Sequence, residues 1–142
     1  MMPRVDFYVL AGAEREALWR VACQITEKAW LAGNTVFVHA DSPHEAARLD
    51  EVLWTFRQDS FVPHALYPPK TPDWPPVLVG SGTEPERTAG VLVNLSAAVP
   101  DFFAQFERVA ELVGGDPAAR QRGRERYRYY RERGCTLHSH NL

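Results

Sequence analysis

The sequence predicts an α/β domain of Rossmann-like, three-layer form, a mainly parallel sheet with helices on both faces. Three observations carry that expectation. Short apolar runs rich in Val and Phe recur along the chain (VDFYVL, TVFVHA, AGVLVNL). They are separated by longer segments whose apolar residues return every three or four positions. Helix punctuation sits at several junctions: Ser42-Pro43 and Asp116-Pro117 at starts, Gly33-Asn34 and Gly134 at stops. A chain of 142 residues is long enough to bury a core and suits one domain, residues 1–142.

Taken in order, Val5–Leu10 is expected as the first strand and Arg15–Ala32 as a helix carrying Leu18, Val21, Ala22, Ile25, Ala29 and Trp30 on its apolar side. Thr35–Ala40 is the second strand. Ser42 caps the next helix, with Pro43 in its first turn and Glu45 three residues after the cap, and the helix runs to about Trp54. From Thr55 to Pro76 six prolines exclude a helix and disfavour central strands, leaving at most an antiparallel edge strand. Pro76–Gly80 is a short strand and Ser81–Thr88 a polar loop. Ala89–Leu95, apolar on both faces, is expected near the sheet centre. Phe102, Phe103, Phe106, Val109, Ala110 and Val113 then recur with helical spacing, predicting a helix from Pro100-Asp101 to Gly114. Asp116-Pro117 opens the last helix, which runs to Arg133. The eight residues after Gly134 carry no assignment.

Composition is ordinary for a globular chain, 45% hydrophobic and 24% charged, and a pI near 6.2 excludes a protein that coats nucleic acid with its whole surface. The N-terminus shows no signal-peptide pattern and no apolar run reaches membrane-spanning length, so a cytoplasmic protein without membrane contact is expected. Cys23 falls on a helical apolar face and reads as a buried residue. Cys135 reads as more exposed, and no metal-type spacing is present.

The chemistry of nucleotide and hydrolase sites is missing. The first strand–helix loop, AGAERE, lacks the glycines of a dinucleotide fingerprint, and neither a phosphate loop nor a G-x-S-x-G elbow occurs. Gly80-Ser81-Gly82 follows a strand without opening a helix. His39 and Asp41 at a strand end are the candidates for an enzymatic reading, with Ser81 and Ser96 beside them. Their alternative role is to hydrogen-bond the following loop. His138 and His140 are read as solvated.

Against that background the last helix stands out. Seven of the fourteen arginines lie between Arg120 and Arg133, among Tyr127, Tyr129 and Tyr130. With two glutamates there, the segment carries about +5 while the rest of the chain carries about −7. At about 100° per residue, Arg120, Arg124, Arg128 and Arg131 cluster with Tyr127. Ala119, Gly123 and Tyr130 form an adjacent stripe suited to packing. Arg122, Arg126 and Arg133 fall on the remaining side, where solvation is the expectation. An arginine row beside an apolar seam fits a ligand with both negative charge and an apolar group.

Several stretches resemble one family jointly: Phe7-Tyr8, the run Leu49-Asp50-Glu51-Val52-Leu53-Trp54, then Phe61-Val62-Pro63-His64, Val91–Leu95, and Arg124-Glu125-Arg126-Tyr127 with Tyr130-Arg131. In matching order along the whole chain they resemble the chi subunit of bacterial DNA polymerase III. That resemblance implies a Rossmann-like, non-catalytic accessory subunit without a cofactor or metal, located at the bacterial replisome. It implies two partners, the psi subunit of the clamp loader and the acidic, phenylalanine-ended C-terminal tail of single-stranded DNA-binding protein, with DNA reached only indirectly. Carried over by position, it implies a tail site of Arg120, Arg124, Tyr127 and Arg128, with Val113 lining the pocket; Phe106 is added as a further apolar wall. It implies a psi-binding surface of Trp54, Phe61, Pro63 and His64. Residues 65–87 match nothing in the pattern. The competing reading is direct binding of single-stranded nucleic acid by the arginine–tyrosine helix.

Overall fold

The central element is a parallel sheet whose strands alternate valine and other apolar residues between two buried faces. The computed structural model describes residues 2–142, and Met1 lies outside the described residues. The strands are β1 (Arg4–Val9), β2 (Val36–Ala40), β3 (His64–Leu66), β4 (Val77–Ser81), β5 (Val91–Asn94), β6 (Arg108–Val113) and β7 (Thr136–Asn141). Three helices join them, α1 (Arg15–Leu31), α2 (Pro43–Thr55) and α3 (Pro117–Glu132). All seven strands are parallel, in the order β3-β4-β2-β5-β6-β1-β7. β5 is the middle strand and is buried throughout, as its two-faced apolar pattern predicts.

The strand period of two divides the core. Val36, Val38, Val77, Val79, Val91, Val93, Ala110 and Leu112 face α1 and α2, meeting Trp19, Ala22, Leu49 and Leu53. Val5, Phe7, Phe37, Leu78, Leu92, Val109 and Val113 face the other way and meet Phe102, Phe103, Phe106 and Tyr130. Helices therefore cover both faces, and the expected three-layer arrangement holds.

Three expectations are corrected. The predicted helix from Pro100 to Gly114 is a 3-10 turn at Phe103–Gln105 followed by β6. Its apolar set does repeat with helical spacing, yet Val109–Val113 is buried on both faces between β5 and β1, and Glu111 in its middle hides the strand pattern. The edge strand in the proline-rich region is parallel to β4, not antiparallel. The unassigned tail forms β7, which pairs Thr136–Asn141 with Arg4–Val9 along the far edge. Cys23 is buried, with its thiol pushed up to about 12 by burial, and Cys135 is half-buried; both are free thiols.

Candidate functional site

α3 starts as its sequence dictates. The Asp116 carboxylate accepts the Ala119 N–H at 2.8 Å, and Pro117 occupies the first turn. The buried residues of the helix are Gly123, Arg126 and Tyr130. Gly123 faces Val113 so closely that a β-carbon there would stand 2.9 Å from Val113 Cγ1. The glycine lets the helix backbone settle onto β6 and leaves open space beside it.

That space is a cavity of about 200 Å³ lined by Phe7, Val9, Val113 and Ser139 on the sheet and by Arg120, Gly123, Arg124 and Tyr127 on α3. Its floor is apolar, and the Tyr127 ring lies 5.3 Å from that of Phe7. Its rim is cationic. Arg120 is held there by its own donors, Nε to the Gly115 carbonyl at 3.1 Å and Nη2 to the Leu10 carbonyl at 3.3 Å. Arg124 donates to the Gln121 side-chain oxygen at 2.7 Å and is otherwise exposed. Two arginines over an aromatic and aliphatic floor make a seat for a carboxylate attached to an apolar side chain.

The structure thus brings Arg120, Arg124, Tyr127 and Val113 together. It leaves Arg128 on the exposed side of α3, outside the cavity lining. Phe106 is buried in the core, its ring 6.3 Å from that of Phe102, and does not line the cavity either. Phe7, Val9 and Ser139 were not expected at the site; period-two spacing puts Phe7 and Val9 on one face of β1, but the tail's polar sequence gave no strand signal for Ser139.

Arg126 departs from the solvated expectation. It is 6% exposed, and its Nε donates to Glu111 Oε1 at 2.9 Å. Glu111 is fully buried and also receives the Tyr130 hydroxyl at 2.6 Å and the Asn94 amide at 2.9 Å. Burial pushes the Glu111 carboxyl up, opposed by the Arg126 charge and these donors. Tyr130 is raised by burial and by the neighbouring Glu111 carboxylate, so it remains a donor. Arg133 lies over the Tyr129 ring at 3.3 Å, and Arg122 is exposed as expected.

A second surface lies across the sheet at the end of α2. Trp54 is 48% exposed and Phe61 is 64% exposed, with ring centroids 5.6 Å apart. Trp54 rests on His64 at 4.2 Å, and His64 is buried with its ring nitrogens at the carbonyls of Val62 (2.6 Å) and Asp50 (2.8 Å). Pro63 is half-buried between them in sequence. His64 thus acts as a rigid support under the exposed Trp54 ring, against which Phe61 lies.

The strand-end residues are committed elsewhere. His39 Nε2 accepts the Gly82 N–H at 3.2 Å, which leaves Nδ1 to donate to Asn94 Oδ1 at 3.1 Å. Burial depresses its basicity, partly offset by Asn94 and Asp41. The Asp41 carboxylate accepts the Ala97 N–H at 3.0 Å, and Ser96 Oγ bonds Asn94 at 2.7 Å. His140 stacks on Tyr8 at 4.8 Å and bonds Asp6 at 3.0 Å, so it is built into the sheet surface, whereas His138 is exposed. Where β1 leads to α1 and β6 to α3, on opposite faces, the Gly115 N–H bonds the Gly12 carbonyl at 2.9 Å and backbone bridges the crevice. Among the described residues, no group of three or more His, Cys, Asp or Glu is placed to hold a metal ion, and no helix is long and apolar enough to cross a membrane.

Comparison with known proteins adds the family. The model of the DNA polymerase III chi subunit, HolC, matches residues 2–138. The DNA polymerase III subunit chi of Pseudomonas aeruginosa is 42% identical over 141 residues, covering 99% of this chain and 98% of that protein. The corresponding subunit of Haemophilus influenzae is 29% identical over 100% of this chain and 99% of its own length. That of Escherichia coli K12 is 30% identical, with 97% of both chains covered.

Proposed function

The chain belongs to the DNA polymerase III chi subunit family, and from that premise we propose that this replication subunit is a non-catalytic adaptor with two docking surfaces. The cavity on α3 takes the acidic C-terminal tail of single-stranded DNA-binding protein. The terminal phenyl ring enters over Phe7, Val113 and Tyr127, while its carboxylate and the preceding acids meet Arg120 and Arg124. The Trp54–Phe61 surface takes the psi subunit, which ties the chain to the clamp loader. Such an adaptor works in the bacterial cytoplasm and reaches DNA only through its partners.

The observation that carries this reading is the pairing of an apolar floor with two rim arginines in one cavity. A floor without cations would accept many apolar groups. A cationic row without a floor would accept any polyanion. Together they select a peptide end that has both features. Two exposed aromatic rings on a rigid support have the composition of an interface centre, which is what favours the second surface.

The test is fluorescence anisotropy with a labelled acidic peptide ending in Pro-Phe. Binding on the order of micromolar is expected, weakened by salt and by Arg124→Ala about tenfold. Equal binding by wild type and variant removes Arg124 from the site. Tight binding of bare single-stranded DNA without the tail overturns the adaptor reading in favour of a nucleic-acid module.

A further inference from the structure

α3 poses a problem of register. Between Arg120 and Arg128, arginine stands at every second position. Rotating or sliding the helix would therefore place one guanidinium roughly where another had been. The packing stripe limits the choice, since Tyr130 is fully buried and Gly123 leaves no room for a β-carbon over Val113. A directional contact with the sheet narrows it further.

Arg120 donates to carbonyls just beyond β1 and β6, and one arginine alone is held by a buried carboxylate within a strand. The Arg126 guanidinium uses all three nitrogens: Nε to Glu111 Oε1 at 2.9 Å, Nη1 to the Ala97 carbonyl at 2.9 Å and Nη2 to the Leu112 carbonyl at 3.3 Å. These acceptors lie on β6 and on the connection that leads to it, so one side chain fastens the helix to two segments. The Glu111 carboxylate is fixed in turn by Tyr130, one helical turn beyond Arg126, and by Asn94 of β5. Burying both charges costs desolvation, and an apolar pair of similar volume could pack here without that cost. The directional gain is what the pair supplies.

We propose that the buried Glu111–Arg126 ion pair is the positioning element of the tail cavity. It sets the rotation of α3 about its own axis and so aims Arg120, Arg124 and Tyr127 across the mouth. This inference rests on the tail-binding reading of that cavity. Neither residue lines the cavity, so each acts through the helix it orients.

The test uses the full chain with Glu111→Gln and Arg126→Met together. This removes both buried charges and leaves an amide oxygen to accept from Tyr130 and Asn94. The first readout is independent of any peptide. A β-carbon built on Gly123 lies 3.6 Å from that of Val113, within disulfide reach. With Val113→Cys, Gly123→Cys and Cys135→Ser added, the rate of disulfide closure in a redox buffer reports whether the two positions face each other. About tenfold slower closure is expected in the neutralised pair; equal rates overturn the proposal.

The second readout is the tail-peptide affinity of the neutralised pair without the added cysteines. It should fall about tenfold, as for a competent fraction reduced to about a tenth, while the melting temperature stays within a few degrees of wild type. Unchanged affinity overturns the proposal. Peptide binding by neither protein removes the tail reading, and the closure rate then decides the positioning claim alone. Should the double variant fail to fold, Arg126→Lys keeps the charge without the three-way fork. Native closure rate and affinity in that variant overturn the proposal.

Discussion

Gly123 lies directly over Val113, with room for a hydrogen but not for a methyl group: a β-carbon would stand 2.9 Å from Val113 Cγ1 and 3.1 Å from Cγ2. The contact sets both the depth of α3 on the sheet and the width of the cavity. Gly123→Ala gains about 1 kcal/mol of helix propensity and meets about 1–3 kcal/mol of overpacking. The expected net change is a loss of up to about 2 kcal/mol. Tail-peptide affinity should fall more than stability does, because the helix must lift where the ligand sits. Urea unfolding and peptide anisotropy on one preparation check this; full affinity would show that the cavity tolerates the lift.

Arg120 and Arg128 lie on the same row and differ in surroundings. Arg120 is held at the cavity by the carbonyls of Leu10 and Gly115, whereas Arg128 is exposed beyond it. Arg120→Ala should weaken the tail peptide about tenfold. Arg128→Ala should weaken it about two- to threefold, an effect that disappears as salt rises because it acts through solvent. A titration of each variant at two ionic strengths separates the two behaviours.

Trp54 rests on the buried His64, Phe61 lies against Trp54, and both face solvent. Trp54→Ala should therefore change stability by about 1 kcal/mol or less, while binding of the psi subunit falls at least about tenfold. Thermal melting and isothermal titration against purified psi make the comparison. A large loss of stability with normal partner binding would reassign Trp54 to the core.

His39 makes stability depend on pH. Its ordinary value is 6.5, and burial holds it lower in the folded chain, ahead of the opposing effects of Asn94 and Asp41. Below about pH 6.5 the unfolded state binds the proton and the folded state resists it, so stability falls as pH drops from about 7 toward 5. His39→Gln should flatten that part of the melting profile. Asp6 acts in a separate window. Burial raises its carboxyl, but donors from His140, Arg4 and Arg108 outweigh this and hold it below its ordinary 3.8. Its contribution is present above about pH 4 and lost as pH falls through the lower folded value.

How much was legible follows from where each signal is local. Ser42 and Asp116 cap α2 and α3 as their sequences require, because a cap is made within four residues. β5 reads as central because burial on both faces leaves an uninterrupted apolar run. β6 did not read as a strand, because Glu111 interrupts the run and the phenylalanines before it extend a helical spacing. β7 did not read at all, since an edge strand with alternating polar residues is defined by its partner β1.

The site divides in the same way. Spacing on α3 by itself grouped Arg120, Arg124, Arg128 and Arg131 with Tyr127, of which Arg120, Arg124 and Tyr127 line the cavity, and it set Ala119, Gly123 and Tyr130 as the packing stripe. The sequence determined the fold class, the cationic helix and the family pattern, because composition, periodicity and motif order are properties of the chain. Tertiary structure alone decided which arginine turns inward. Arg122, Arg126 and Arg133 share one side of the helix in sequence, and only a buried carboxylate on β6 distinguishes Arg126. It also supplied Ser139 from the tail and withdrew Phe106 into the core. A cavity is a relation between segments far apart in the chain, and its lining is fixed only when strands 1, 6 and 7 lie side by side.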